Sequence, residues 1–362
     1  MDIAALQTKL KKGKRISPEE GLRLLREAPL LDLADMATDA RFRHNPAMRV
    51  TFVVDTNPNY TNVCENDCAF CAFYRHAGEK GAYVAPLNEM IRNFRTAAEN
   101  GATTILLQGG VNPALSFDYY LRLVKRTVAE VPEIHPHFFS APEIMGMSRL
   151  TDMSVSDVLR DLWDAGLRTL PGGGAEVLSD RVKRRISPRK GTTADWLSVM
   201  REAHRMGYMS TATMMYGHLE NGEDIIAHLE SIRQLQDEYH GFTAFVPWSF
   251  KPDNTPLGKT LSHRATPNRY LQIIALARIY LDNFPHIQAS WFSEGKKIGQ
   301  IALHFGADDF GGTLLEENVH AAANFLNKTN VKECIEIIHA AGFDAAERTT
   351  LYEIRKAFPR EK

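Results

Sequence analysis

The chain has little of what marks a secreted, membrane or polyanion-binding protein. Only four of its 362 residues are cysteine, and three of them, Cys64, Cys68 and Cys71, fall within eight positions. That is no disulfide framework; in a reducing compartment such a cluster more often holds metal. No stretch approaches ~18 consecutive apolar residues, the length a spanning helix needs. The opening Met1-Asp-Ile-Ala-Ala-Leu-Gln-Thr-Lys-Leu-Lys-Lys12 lacks the charge-then-apolar layout of a signal peptide. The expectation is a cytoplasmic protein that engages no membrane. A formal net charge of −1, with no long block of one sign, gives no electrostatic footprint for nucleic acid. No linker rich in proline, glycine or serine splits the chain, and 44% hydrophobic with 24% charged residues suits a globular protein with a large core.

What is present is a repeated unit. Residues 1–50 read as a helical extension, with Ser17-Pro18-Glu19-Glu20 as a helix start. From Thr51 a β-rich run, a polar or glycine-containing loop and an amphipathic helix recur. The strands expected are Thr51–Asp55, Thr103–Gln108, Ile134–Ser140, Leu167–Leu170, Ser210–Tyr216, Phe242–Pro247, Ile287–Trp291 and the apolar run Ile301–Phe305. Eight strands alternating with helices predict an α/β fold, a (β/α)8 TIM-type barrel over 51–325. Residues 326–362 are expected as C-terminal helices packed on its outside, including a final helix after Ala345.

Chemistry in such barrels gathers where strands end. Here those ends carry the cysteine loop, Gln108-Gly-Gly110, Ser140-Ala-Pro-Glu143, Pro171-Gly-Gly-Gly-Ala-Glu176, Gly217-His218, Pro247-Trp248, Trp291 and Gly306-Ala-Asp-Asp-Phe-Gly-Gly312. Three thiolates at C-x3-C-x2-C can ligate three irons of a [4Fe–4S] cubane. The fourth iron then lacks a protein ligand and can chelate a small molecule through an amine and a carboxylate. A zinc site completed by His76, or three cysteines that are merely buried, are the plainer alternatives. Cys334, in line with apolar neighbours at helical spacing, reads as a core thiol.

The loop Tyr60-Thr-Asn-Val-Cys64 with Cys68 and Phe70-Cys71-Ala-Phe-Tyr74 resembles the radical S-adenosylmethionine superfamily. Leu107-Gln-Gly-Gly110, Pro171–Glu176 and Arg185-Ile-Ser-Pro188 narrow the resemblance to the branch of futalosine-pathway enzymes and deazaflavin synthases. Thr211–His218, Gly241–Phe250 and Gly306–Asn318 are most similar to its cyclic dehypoxanthinyl futalosine synthase family. The resemblance implies a [4Fe–4S] cluster and S-adenosyl-L-methionine as cofactors, and a flavodoxin- or ferredoxin-type electron donor. It also implies a step of menaquinone biosynthesis in which dehypoxanthine futalosine is cyclised through a ribosyl radical that attacks the benzoate ring. Aminofutalosine synthase and the deazaflavin synthase subunits are rivals within the branch; an electron carrier or a zinc-binding structural protein is a rival outside it.

On this resemblance Cys64, Cys68 and Cys71 are the expected cluster ligands. Phe70 and Tyr74 are expected beside the cofactor, Gln108, Gly109 and Gly110 at its methionyl amine, and Glu176 at its ribose hydroxyls. Arg181 is a candidate for the methionyl carboxylate, with a solvated helix face as the plainer role. Ser140, Trp291, Asp309 and Thr313 are candidate substrate contacts. Ring closure onto an arene calls for a general base, for which His218, Glu143 and Asp308 are candidates.

Overall fold

The computed structural model describes residues 2–361. Three helices come first, Ile3–Lys11, Pro18–Glu27 and Leu30–His44. The second starts as its sequence predicts: Ser17 and Glu20 form a reciprocal capping box ahead of Pro18. Arg41 in the third is buried, and its guanidinium donates to the carbonyls of Ala47 (3.1 Å) and Arg49 (2.6 Å). That fixes where the first strand begins.

Eleven strands follow among the described residues: β1 Arg49–Val53, β2 Asp55–Thr56, β3 Thr104–Leu107, β4 His135–Phe138, β5 Thr169–Leu170, β6 Met209–Tyr216, β7 Phe242–Ser249, β8 His286–Ile287, β9 Asp309–Gly312, β10 Asp344–Arg348 and β11 Ile354–Phe358. β2 through β8 pair in parallel in chain order. β8 reaches β9 through the bridge Gln288↔Asp309, and β9 pairs in parallel with β1. Only Val54 separates β1 from β2, so these two make one stave and the ring closes on eight. The helices between them, such as Leu87–Glu99, Phe117–Glu130, Thr193–Arg205, Gly222–Tyr239 and Pro267–Tyr280, bury their apolar faces against the barrel.

The eighth stave differs from the expectation. Ile301 ends up in the helix Lys296–Ala302, while Ala302, Leu303 and Phe305 are buried as a continuation of its apolar stripe. The strand is Asp309-Phe-Gly-Gly312 instead, where two glycines let backbone lie close to neighbouring side chains. The seventh stave is also shorter than expected, and Trp291 opens the short helix Trp291–Glu294.

The end of the chain departs most. After the helix Val331–Ala340, which buries Cys334, residues 344–348 form no helix but strand β10. β10 pairs in parallel with β1 over Arg49–Phe52, on the edge opposite β9. β11 returns antiparallel beside it. The tail therefore belongs to the barrel's N-terminal end, where Thr350 meets Thr104 of β3 at 2.7 Å between hydroxyls. Ala345, Ala346 and Arg348 are buried there, on both faces of the strand, while Asp344 and Glu347 stay partly exposed.

Candidate active site

One cavity of about 320 Å3 opens at the C-terminal ends of the staves and runs down to the C-terminal tail. Its upper wall is the loop after β2. Cys64, Cys68, Phe70, Cys71 and Tyr74 all line it. The three thiols line the same cavity, and thiolates are the ligands that iron–sulfur clusters take. The backbone N–H of Val111 points at Cys64 Sγ across 3.4 Å, a donor suited to a thiolate. Burial pushes all three thiols up, Cys68 to about 12, so a cationic partner is needed to hold them as thiolates. His76, the zinc alternative's fourth ligand, instead lies half exposed beside Asp67 at 3.3 Å.

The glycine turn after β3 is pressed against this loop. A Cβ on Gly110 would lie 2.0 Å from the Val63 carbonyl oxygen and 2.9 Å from Cys64 Cβ. Glu143 braces the same turn from below. Its Oε1 accepts from the Tyr60 hydroxyl (2.6 Å) and the Gly109 N–H (3.0 Å), and its Oε2 from the Ser140 N–H (2.7 Å) and hydroxyl (2.5 Å). Ser140 and Glu143 thereby form the capping box of the helix Ala141–Thr151. Both Glu143 oxygens are engaged, so its part is to hold the loop and turn in register.

Glu176 follows β5 with a positive φ of 45°, a conformation costly for a side-chain-bearing residue. It is buried and paired with Lys190, whose ammonium also lies 5.1 Å over the Phe70 ring. Burial would push the Glu176 carboxyl up, but Lys190 and Lys183 hold it below its ordinary value. Its second oxygen has no hydrogen-bond partner among the described residues and is free for hydroxyls. Lys190 is the cation that sequence reading missed; it lies two residues past the Arg185-Ile-Ser-Pro188 motif, and nothing in its spacing points inward.

Other expected site residues lie elsewhere. Arg181 is half exposed and pairs with Asp224 outside the cavity. His218 is buried after β6, its Nε2 on the Met215 carbonyl at 3.0 Å, and burial lowers its pKa. Asp308 sits below β9 and accepts from Arg278, from Asn45 at 2.6 Å, from His286 at 2.6 Å and from the Ile287 N–H at 2.8 Å. Burial alone would raise it, yet Arg278 and His286 keep it lowered. Asp309 is held by Arg348 and by the Thr51 hydroxyl at 2.5 Å. Thr313 is wholly buried against the Asp55 backbone. Trp291 donates from Nε1 to the Gly312 carbonyl at 3.1 Å, behind the wall. None of these six lines the cavity.

In their place the lower cavity is lined by Asp55, Asn57, His137, Gln288, Arg348 and Thr350. Arg348 and Thr350 arrive from the tail, which no local pattern assigns to the interior. Gln288 and Asp55 point inward because their staves do.

A closed parallel barrel with a trithiol loop and a glycine turn at the mouth of one cavity has the thiol lining that an iron–sulfur cluster would take. Comparison with known proteins carries this further. Residues 58–232 match the model of the Radical SAM superfamily, and residues 239–361 match that of the CofH/MqnC C-terminal region. A cyclic dehypoxanthine futalosine synthase of Halalkalibacterium halodurans is 38% identical, covering 99% of this chain and 96% of its own. An aminodeoxyfutalosine synthase of Thermus thermophilus is 37% identical over 98% and 96%. A 5-amino-6-(D-ribitylamino)uracil--L-tyrosine 4-hydroxyphenyl transferase of Methanopyrus kandleri is 40% identical over 85% of each chain. The crystal structure of a methylornithine synthase superposes with a TM-score of 0.73 at 19% identity, covering 93% of this chain and 96% of that one, which shows the shared fold. The chain belongs to the radical S-adenosylmethionine superfamily, in the futalosine branch. It is an enzyme of that class, and no helix among the described residues is long and apolar enough to cross a membrane.

Proposed function

We propose that this enzyme cyclises dehypoxanthine futalosine to cyclic dehypoxanthinyl futalosine, a step of menaquinone biosynthesis. The observation that carries the reading is the end-to-end similarity to the Halalkalibacterium cyclase, which includes the tail that lines the lower cavity. When bound, a [4Fe–4S] cluster and S-adenosylmethionine supply a 5′-deoxyadenosyl radical able to take hydrogen from a ribose carbon. Cys64, Cys68 and Cys71 would hold the cluster. Gly109 and Gly110 give the close backbone approach that an amino-acid moiety needs, while Glu176, kept ionised by Lys190, offers a carboxylate to ribose hydroxyls.

The chain's own residues then position and shield, since the cofactor does the hard chemistry. Asn57, Asn59 and Gln288 present amide groups to a hydroxyl-rich substrate below the cofactor, and Trp248 with Phe292 offers an aromatic wall. Electrons would come from a small flavodoxin- or ferredoxin-type donor.

The similarity to the hydroxyphenyl transferases, at comparable identity, favours a second reading, aryl transfer onto a ribitylamino-uracil; the aminodeoxyfutalosine synthases are a third. One assay separates them. The reconstituted enzyme, with reductant and S-adenosylmethionine, is given each substrate in turn and its products are weighed by mass spectrometry. Free 5′-deoxyadenosine together with a product two mass units below dehypoxanthine futalosine is expected. A deoxyadenosyl adduct, or a hydroxyphenyl product from tyrosine, would overturn the cyclase reading.

A further inference from the structure

Closing a ring onto an arene leaves a ring carbon that must lose its hydrogen before aromaticity returns, and a placed base speeds that loss. Four acidic side chains among the described residues line the cavity: Asp55, Glu143, Glu176 and Glu317. Glu143 has both oxygens engaged, as described above. Glu317 accepts from the Val319 N–H at 3.2 Å through one oxygen and the His320 N–H at 2.7 Å through the other. Glu176 keeps one oxygen open, but it pairs with Lys190 beside the cysteines, and Lys190 and Lys183 hold its carboxyl below its ordinary value, which makes it a weak base. The two cavity histidines, His137 and His320, are pushed by burial to about 3, too low to hold a proton.

Asp55 is different. Its Oδ1 accepts from the Leu314 N–H at 2.9 Å, while Oδ2 has no partner among the described residues. The carboxylate fills room that exists only because residue 312 is glycine: a Cβ there would lie 2.1 Å from each oxygen. A buried carboxylate seated in a slot of that shape, with one oxygen tied and the other facing a reaction cavity, is a proton acceptor by construction.

We propose that Asp55 takes the ring proton released when the cyclised product rearomatises, an inference that rests on the cyclase reading. The carbon–carbon bond forms first, between the ribose carbon radical and the ring. The C–H bond at that ring carbon then breaks. Its proton goes to Asp55 Oδ2 and the remaining electron to an oxidised iron–sulfur centre, so no radical is left. The charged groups facing Asp55 are Arg348 and Asp309, already paired with each other, so neither neutralises it. Burial, with Asp309 adding to it, raises Asp55 to about 6 against the opposing Leu314 N–H and Arg348, near the working range of a base.

The test is Asp55→Asn in the full-length, cluster-reconstituted enzyme. Affinity for dehypoxanthine futalosine, measured without reductant, should stay within about threefold of wild type. With reductant, 5′-deoxyadenosine should still form while cyclised product falls about 100-fold, and freeze-quenched EPR should show a ring-centred radical. Wild-type product formation should fall below about pH 6, and the variant's residual rate should be flat there. Product at the wild-type rate with an unchanged pH profile overturns the proposal, as does loss of substrate binding in parallel with product. Should Asp55→Asn not fold, a wild-type profile that is flat through pH 6 overturns it equally. A wild-type enzyme that makes no cyclised product at all refutes the cyclase reading instead and is told apart by that control.

Discussion

The Tyr60 hydroxyl donates to Glu143 Oε1 across 2.6 Å, tying the residue four before Cys64 to the helix that follows β4. Both partners are buried, and the same oxygen takes the Gly109 N–H. Glu143→Gln turns one acceptor into an –NH2 that faces donors. A buried donor without an acceptor costs about 1–3 kcal/mol. The expected result is a lowered melting temperature together with weaker S-adenosylmethionine binding, because the glycine turn loses its brace. Calorimetry and cofactor titration check it, and a variant that keeps wild-type values in both would show that the brace is dispensable.

Gly110 tests the fit between turn and cysteine loop. A methyl 2.0 Å from the Val63 carbonyl oxygen cannot be accommodated by rotating a side chain, since the obstacle is backbone. Gly110→Ala should therefore displace the loop carrying Cys64. Iron and acid-labile sulfide per chain after anaerobic reconstitution should fall by at least half, while far-ultraviolet circular dichroism stays that of a folded barrel. Full iron loading would mean the loop can shift without cost.

Lys190→Met removes the buried cation paired with Glu176. Stranding a buried carboxylate costs about 3–5 kcal/mol. The pH dependence has a definite sign. Glu176 is held below its ordinary value of 4.5, so the pair's contribution is fully present above pH 4.5 and is lost as pH falls below it. The gap in denaturation midpoint between wild type and variant should thus be wide at pH 7 and close towards pH 4. A constant gap would place the contribution of Lys190 in packing, not charge.

Much of the barrel was legible because strand and helix periods differ and glycines punctuate the helix ends, as Gly101, Gly166 and Gly207 do. The cysteine loop, the glycine turn and Glu176 were legible because their chemistry is local: all lie within a few residues of a strand's end. What escaped was non-local. Ile301–Phe305 is apolar enough for a strand, and only packing decides that it continues a helix while Asp309–Gly312 takes the stave. Asp308 and Asp309 look like loop acids in sequence, but Arg278 and Arg348, 30 and 39 residues away, claim them as buried ion pairs. Asp55 reads as the end of a strand; its open oxygen is visible only once Gly312 and Leu314 lie against it.

Arg348 joins the tail to the barrel, and a mutant cycle measures how strongly. Its guanidinium meets both Asp309 oxygens, at 2.5 and 3.0 Å, with side-chain exposures of 6% and 0%. Arg348→Met should cost about 3–5 kcal/mol by leaving Asp309 charged and unpaired in the interior. Adding Asp309→Asn removes that charge, so the double variant should recover most of the loss, and denaturant midpoints across the cycle should yield a coupling of 0.5–3 kcal/mol, roughly the range for contacting pairs. Iron loading should be unchanged throughout, since the cysteine loop lies at the other end of the cavity. Additive losses would mean that the Thr51 hydroxyl and the Gly311 N–H already satisfy Asp309, and that backbone pairing of β10 with β1 alone holds the tail in place.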